Sequence, residues 1–193
     1  MASSLFYPTL YASIMVYSAV GAGIFHGSLT DWGGKLDMVS MHLVFGFWFV
    51  YNLTRWFDRT VAWFLIVLSP LTVALLVPRV LFGVMGFEIF AVLLVCVVAS
   101  EILVGVGTRG RASPLVINRS WLWVSLGLYP PALLIWYFSL SGQPLCNPWS
   151  LFQGHAVWHV PTALSPGGLS ISTFEMASLG SLLPDQALNA DVE

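Results

Sequence analysis

The run "TVAWFLIVLSPLTVALLV" (60–77) decides the fold class of this chain. It contains eighteen residues and no charged side chain. A helix rises about 1.5 Å per residue, and a bilayer core needs about 20 mostly apolar residues to be crossed. The run therefore predicts a transmembrane helix.

The composition extends this conclusion to the whole chain. Its 193 residues are 58% hydrophobic and only 8% charged, whereas a soluble domain carries about 25% charged residues. The net charge of -2 and the absence of a basic patch exclude a nucleic-acid partner. The two cysteines, Cys96 and Cys146, are too few for a disulfide framework. The composition thus indicates an integral membrane protein.

Six apolar segments are long enough, or nearly long enough, to cross a membrane. They are residues 5–26, 37–54, 60–77, 80–106, 120–140 and 147–164. We therefore predict an all-α fold, a multi-pass transmembrane bundle of about six helices that occupies residues 1–164. The tail 165–193 contains no Lys or Arg and is only weakly apolar. We expect this tail to be disordered or to lie on the surface.

The basic residues predict the orientation in the membrane. Six crossings place both termini on one side, and that side carries more Arg and Lys than the other. The first side holds Arg55, Arg59, Arg109, Arg111 and Arg119, and the second holds Lys35 and Arg79. Cytoplasmic loops carry the excess of basic residues in membrane proteins. Both termini are therefore predicted to be cytoplasmic.

Alternation of the helices brings three histidines to one leaflet. His26 ends the first helix, a turn-rich connection follows over residues 27–36, and His155 and His159 lie in the first half or middle of the sixth helix. Residues four apart share one face of a helix, so the last two can bind one metal ion. With His26 they make three nitrogen ligands, the set of a catalytic zinc site. The alternative is that each histidine is a hydrogen-bonded packing residue.

The acidic residues have several candidate roles. Asp37 lies at the level of the histidines, so it is either the base of a catalytic site or the N-cap of the second helix. Asp31 is predicted to be solvated in a loop. His42 projects about 140° away from Asp37 on a helix and is predicted to be a packing or interfacial residue. Glu88 is an intramembrane carboxylate without an obvious partner, and Glu101 is expected to reach the membrane interface.

Two stretches together resemble the alkaline ceramidase family. They are "GAGIFHGSLTDWGGKLDMVSM" (21–41) and "GHAVWHV" (154–160). That family belongs to a wider group of seven-helix membrane hydrolases that includes adiponectin-type receptors. Its pattern is a Ser four residues before a His, an Asp eleven residues after that His, and a His-x-x-x-His pair in the last helix. The residues that match this pattern are His26, Asp37, His155 and His159.

The resemblance implies a zinc-dependent hydrolase that cleaves an amide bond in a membrane lipid, such as the N-acyl bond of ceramide. The products would be a fatty acid and a sphingoid base. His26, His155 and His159 would hold Zn²⁺. Asp37 would orient or deprotonate the attacking water and then help to transfer a proton to the leaving amine. The substrate would enter sideways from the lipid.

The chain departs from the family pattern in several respects. Ala22 occupies the position of the family Ser, and the fold corresponds to the seven-helix family fold without its first helix and without the acidic segment that binds calcium in some members. Ala22 favours an alternative, a zinc-binding lipid receptor or structural relative with weakened catalysis. A further alternative is a haem-binding membrane protein with His26 and either His155 or His159 as axial ligands.

Overall fold

The structure, a computed structural model, describes residues 2–82, 86–107, 119–146 and 154–170. The regular structure in these ranges is helical, which confirms the predicted all-α class. The helices are α1 (Ala2–Ser28), α2 (Asp31–Trp56), α3 (Val61–Phe82), α4 (Gly86–Gly107), α5 (Arg119–Phe138) and α6 (Gly154–Ser170). The chain divides into two compact units: Met1–Leu115 contains α1 to α4, and Val116–Glu193 contains α5 and α6.

Three helices of the described part are long and apolar enough to cross a membrane. They are Leu5–Ser28, Asp31–Trp56 and Val61–Pro78. The prediction of a protein with membrane-spanning helices is therefore supported by length and composition. Crossing by the other three helices and the sidedness of the termini stay predictions.

The helix boundaries differ from the predicted ones at three places. α2 begins at Asp31 and includes most of the stretch predicted to be a turn-rich connection. α3 continues past Pro78, because proline is tolerated inside helices that neighbouring helices and local adjustments support. α6 ends at Ser170 and so extends into the predicted tail. Residues 147–153 and 171–193 lie outside the described residues.

A two-residue turn joins α1 to α2. Leu29 adopts the left-handed conformation with φ 51, and its backbone N–H donates to the carbonyl of Phe25 at 2.7 Å. This is the αL arrangement that satisfies the end of a helix. Thr30 then caps α2, because its hydroxyl accepts from the N–H of Gly33 at 3.3 Å and lies 2.8 Å from the hydroxyl of Ser28. The two helices therefore form a tight antiparallel hairpin.

α2 is the central helix of the first unit. It packs against α1, α3 and α4, and 67% of its most apolar window is buried, against 17% for α1 and 11% for α3. Phe47 of α2 is fully buried and contacts Phe64 of α3 at a ring separation of 5.4 Å. Phe45 contacts Phe90 of α4 at 4.9 Å. The outer helices therefore shield α2 and turn their remaining apolar faces outwards.

α1 and α2 stay in contact along the whole hairpin, and a contact recurs every one or two helical turns. From the open end to the turn, the contacting pairs are Tyr7 with Tyr51, Tyr11 with Trp48, Ser18 with Ser40, Gly21 with Leu36 and Asp37, and Phe25 with Gly34. The large aromatic pairs fill the open end, whereas small residues bring the backbones together near the turn. Residues close to the turn are therefore held at the shortest interhelical distance.

A buried polar cluster joins α2 to α4 near the open end of the hairpin. The amide of Asn52 donates to the hydroxyl of Ser100 at 3.0 Å, and Arg55 donates to the Asn52 carbonyl oxygen at 3.4 Å. Glu101 is only 2% exposed and lies close enough to Asn52 and Arg55 to interact with both, while its Oε1 atom has no hydrogen-bond partner among the described residues. Glu101 is therefore enclosed in the contact between α2 and α4, beside Asn52 and Arg55. Its expected level at the membrane interface stays a prediction.

This cluster predicts an interhelical coupling that a double-mutant cycle can measure. We expect Asn52→Ala to destabilise the protein more than Ser100→Ala, because loss of Asn52 also removes a partner of Glu101. The coupling between the two positions should be about 0.6 kcal/mol and at most about 1.7 kcal/mol, the range of hydrogen bonds between membrane helices. The free energy of unfolding in detergent is measured for the wild type, the two single variants and the double variant. Ser69→Ala is the control, since this exposed hydroxyl bonds only within α3, to Leu65. Additive effects at the two positions would contradict the coupling.

Candidate active site

His26 and Asp37 lie together at the closed end of the α1–α2 hairpin. His26 is exposed and stands in the last turn of α1. Asp37 is only 8% exposed and lies on the buried side of α2. The carboxylate of Asp37 and the ring of His26 are close enough to interact electrostatically. The hairpin therefore presents an accessible imidazole within electrostatic range of a buried carboxylate.

Asp37 is not the N-cap of α2. The helix begins at Asp31, and Thr30 is the capping residue. Gly33 and Gly34 suggested a turn because glycine disfavours helix interiors, but both are buried against Phe25 within α2. The signal for the true start was a threonine followed by an acidic residue, which favours the first turn of a helix. Of the two roles predicted for Asp37, the cap is therefore excluded.

Three other polar residues, Asp31, His42 and Glu88, occupy positions that helix structure or helix packing explains. Asp31 lies in the first turn of α2 rather than in a loop, and its carboxylate pairs with Lys35 at 2.8 Å on the surface. His42 is 2% exposed and lines a narrow crevice between α2 and α3, together with Thr72 and with apolar residues of both helices. This confirms His42 as a packing residue. Glu88 is exposed in the first turn of α4, where a carboxylate complements the helix dipole.

The hydroxyl groups near Ala22 are engaged elsewhere. Ser18 lies one turn before Ala22, and its hydroxyl accepts from Ser40 of α2 at 3.1 Å. Ser28 lies beyond His26 and belongs to the cap of α2, where its hydroxyl contacts Thr30 at 2.8 Å. Neither serine occupies the position of the family Ser, so neither supplies the hydroxyl group that Ala22 lacks.

The second unit carries the histidine pair. His155 and His159 lie one turn apart on α6, as the sequence predicts. His159 is half-buried beside the buried Trp158, with a ring separation of 4.9 Å, and the side chain of His155 lies outside the described residues. Gly154 starts the helix in tight contact with Ser139, which leaves no space for a larger residue. α6 is therefore anchored against α5 at the turn that precedes the pair.

The residues present suit a zinc ion in their chemistry. Imidazole nitrogens are preferred zinc ligands, and a pair at i and i+4 on one helix can share an ion. The structure brings His26 next to Asp37 in the first unit and places His155 and His159 on one helix in the second. Within the described residues, no three His, Cys, Asp or Glu side chains are close enough to hold a metal. The meeting of the histidine pair with His26 stays a prediction.

Comparison of the chain with protein-family models, with curated proteins and with solved structures finds no match.

Proposed function

We propose that this protein is a zinc-dependent integral-membrane hydrolase that cleaves the amide bond of ceramide or a related lipid. The observation that carries the proposal is the buried carboxylate of Asp37, within electrostatic range of the exposed His26, in a helix hairpin apolar enough to cross a membrane. A carboxylate within a membrane helix is costly, so such residues mark functional sites unless other helices satisfy them. The His155–His159 pair supplies the remaining ligands that the proposal requires.

The environment of Asp37 supports a role as a general base. Its carboxylate is held in a helix contact, and the hydroxyl of Ser40 binds the backbone carbonyl of Asp37 at 2.6 Å, which ties the same turn of α2 to α1 through Ser18. A base must be fixed in position to remove a proton efficiently. Asp37 would accept a proton from the water that attacks the amide carbon. When the carbon–nitrogen bond breaks, the same carboxyl group would deliver that proton to the departing amine.

The exposed ring of His26 supports its role as a ligand, because an imidazole must be accessible to bind a metal. His26, His155 and His159 are the residues that would hold zinc. When bound by three imidazoles, zinc acidifies a water molecule and polarises a carbonyl oxygen. Both effects are needed to hydrolyse an unreactive amide.

The positions of His26 and Asp37 in their helices favour a lipid substrate. His26 ends a candidate membrane span, and Asp37 lies six residues into the next one, about 9 Å along the helix axis. In the proposed arrangement, this distance from the helix start would place Asp37 near the border between the headgroups and the hydrocarbon core. The amide bond of a ceramide lies at the same border, next to its small polar headgroup. A lipid amide could therefore reach His26 and Asp37 while its acyl chains remain among apolar side chains.

Metal analysis of the detergent-purified protein is the first test of the proposal. We expect about one zinc ion per wild-type chain and none in the His155→Ala/His159→Ala double variant, because one histidine alone cannot retain the ion. Substitution of His42 by Ala is the matched control, since the fourth histidine of the chain packs between α2 and α3 and should not affect zinc content. Zinc retained by the double variant, or absent from the wild type, would refute the ligand assignment.

Substitution of the proposed base should separate catalysis from metal binding. We expect Asp37→Asn to keep zinc and to lower the rate of ceramide hydrolysis by at least about 100-fold, the usual contribution of a general base. Release of sphingoid base in mixed micelles measures the rate. Asp31→Asn is the matched control, because this carboxylate is exposed and pairs with Lys35 on the surface, and its activity should equal that of the wild type. Equal rates for Asp37→Asn and the wild type would leave Asp37 without a catalytic role.

Ala22 favours a second candidate function, a zinc-binding lipid receptor with weakened turnover. Ala22 lies one turn before His26 on α1, so a serine there would place a hydroxyl beside the proposed site. We expect Ala22→Ser to raise hydrolysis by about 100-fold, the effect of one hydrogen-bond donor near a developing negative charge. Ala19→Ser, at an exposed position of the same helix, is the control. No gain in an active wild-type enzyme would show that the site functions without this hydroxyl.

A further inference from the structure

Gly21 is the point at which the backbone of α1 lies against the backbone of Asp37 in α2. A Cβ atom at this position would lie 3.3 Å from the carbonyl oxygen of Leu36 and 3.6 Å from the Cα atom of Asp37. These are backbone atoms of a helix, so they cannot rotate away as the end of a long side chain can. Even a methyl group at position 21 therefore requires the two backbones to give way by a few tenths of an ångström.

Gly23 lies two residues further along α1 and has no such neighbour. A Cβ atom there would find nothing within 4 Å, and the residue is exposed. Both glycines lie within α1, and replacing either one by alanine changes the intrinsic helix propensity by the same amount, about 1 kcal/mol. The two positions thus differ in their surroundings: Gly21 is buried against the backbone that carries Asp37, whereas Gly23 is exposed.

The contacts on either side of Gly21 fix the register of the hairpin. One turn towards the open end, the hydroxyl of Ser40 donates to Ser18 at 3.1 Å. One turn towards the closed end, a Cβ atom at Gly34 would lie 3.0 Å from the ring of Phe25. α2 can therefore neither slide along α1 nor turn about its axis without breaking one of these contacts. With the register fixed, the residue at position 21 determines how closely the two helices approach each other at Asp37.

We infer that Gly21 is a positioning residue for Asp37, setting how closely this carboxylate approaches the ring of His26 on the neighbouring helix. The inference rests on the proposed function for its catalytic consequence, because it assigns a structural determinant to the proposed base. His26 stands on the same helix as Gly21, whereas Asp37 stands on the partner helix. A change in helix spacing therefore moves the base relative to His26.

The size of the expected effect follows from the geometry. A methyl group at position 21 requires a shift of a few tenths of an ångström, and a valine side chain requires more. A misplacement of about 1 Å in an active site can cost about 100-fold in rate. We expect Gly21→Ala to lower kcat by about 10-fold and Gly21→Val by about 100-fold. KM should be unchanged, because the lipid-binding surface is not altered.

The experiment compares alanine and valine at positions 21 and 23 in the full-length protein. The four variants and the wild type are assayed for kcat and KM with ceramide in mixed micelles, and for zinc content. We expect the graded loss of kcat at position 21 only, with zinc retained throughout. Gly21→Ala keeps the test valid if Gly21→Val does not fold.

A second readout does not depend on activity. Cysteines are placed at Ser18 and Ser40, whose hydroxyl oxygens lie 3.1 Å apart, and the two native cysteines Cys96 and Cys146 are removed. Formation of the disulfide under mild oxidation reports the helix spacing one turn from Gly21, because a disulfide tolerates little change in geometry. Adding Gly21→Val should slow the cross-link several-fold, whereas Gly23→Val should leave it unchanged.

The outcomes separate this inference from the proposed function. Equal kcat or equal cross-linking rates for the variants at positions 21 and 23 would overturn the role of Gly21 while leaving the hydrolase intact. Loss of zinc in parallel with kcat at position 21 would also overturn it, since the glycine would then shape the metal site rather than place Asp37. A wild-type chain without lipid amidase activity would refute the proposed function and the catalytic consequence with it, and the cross-linking rates would still decide whether Gly21 sets the spacing.

Discussion

The close contact between α1 and α2 is the constraint on which the first unit depends. Inside a bilayer, lipid tails are as apolar as leucine side chains, so burying apolar surface between helices provides little driving force. Close packing and hydrogen bonds between helices have to replace it. Gly21 and Gly34 permit that packing at the closed end of the hairpin, and the bond between Ser18 and Ser40 adds a polar contact. With α2 held in this way, α3 and α4 complete its cover.

The two polar regions of α2 differ in their surroundings, and the difference suggests their roles. Near the open end, Asn52, Arg55 and Glu101 interact with one another inside the contact with α4. Buried polar groups of this kind are stable because they find partners in the protein. Near the closed end, the carboxylate of Asp37 faces an exposed histidine, His26. The first arrangement lies inside a helix contact, whereas the second combines a buried carboxylate with an exposed imidazole.

Several features of the fold and site could be predicted from the sequence, and the failures have physical reasons. Six helices follow from long apolar runs, and the one-turn spacing of His155 and His159 follows from helix geometry. The start of α2 could not be placed, because glycines that signal a turn locally are required here for contact with Phe25. The burial of Glu101 was also missed, since the polar residues beside it, Asn52 and Arg55, come from a helix about fifty residues earlier in the chain.

By itself, the sequence determined the membrane class, the helical composition and the identity of the candidate ligands and base, because composition and spacing are local properties. Only the tertiary structure decided that Asp37 is buried against α1 rather than capping α2, that Gly21 lies against its backbone, and that Glu101 is enclosed between α2 and α4. The physical reason is that helices that are apolar on nearly all sides carry no polar stripe to mark which face meets a neighbour. The choice of contact face then depends on small residues and polar pairs that come together only in the folded chain.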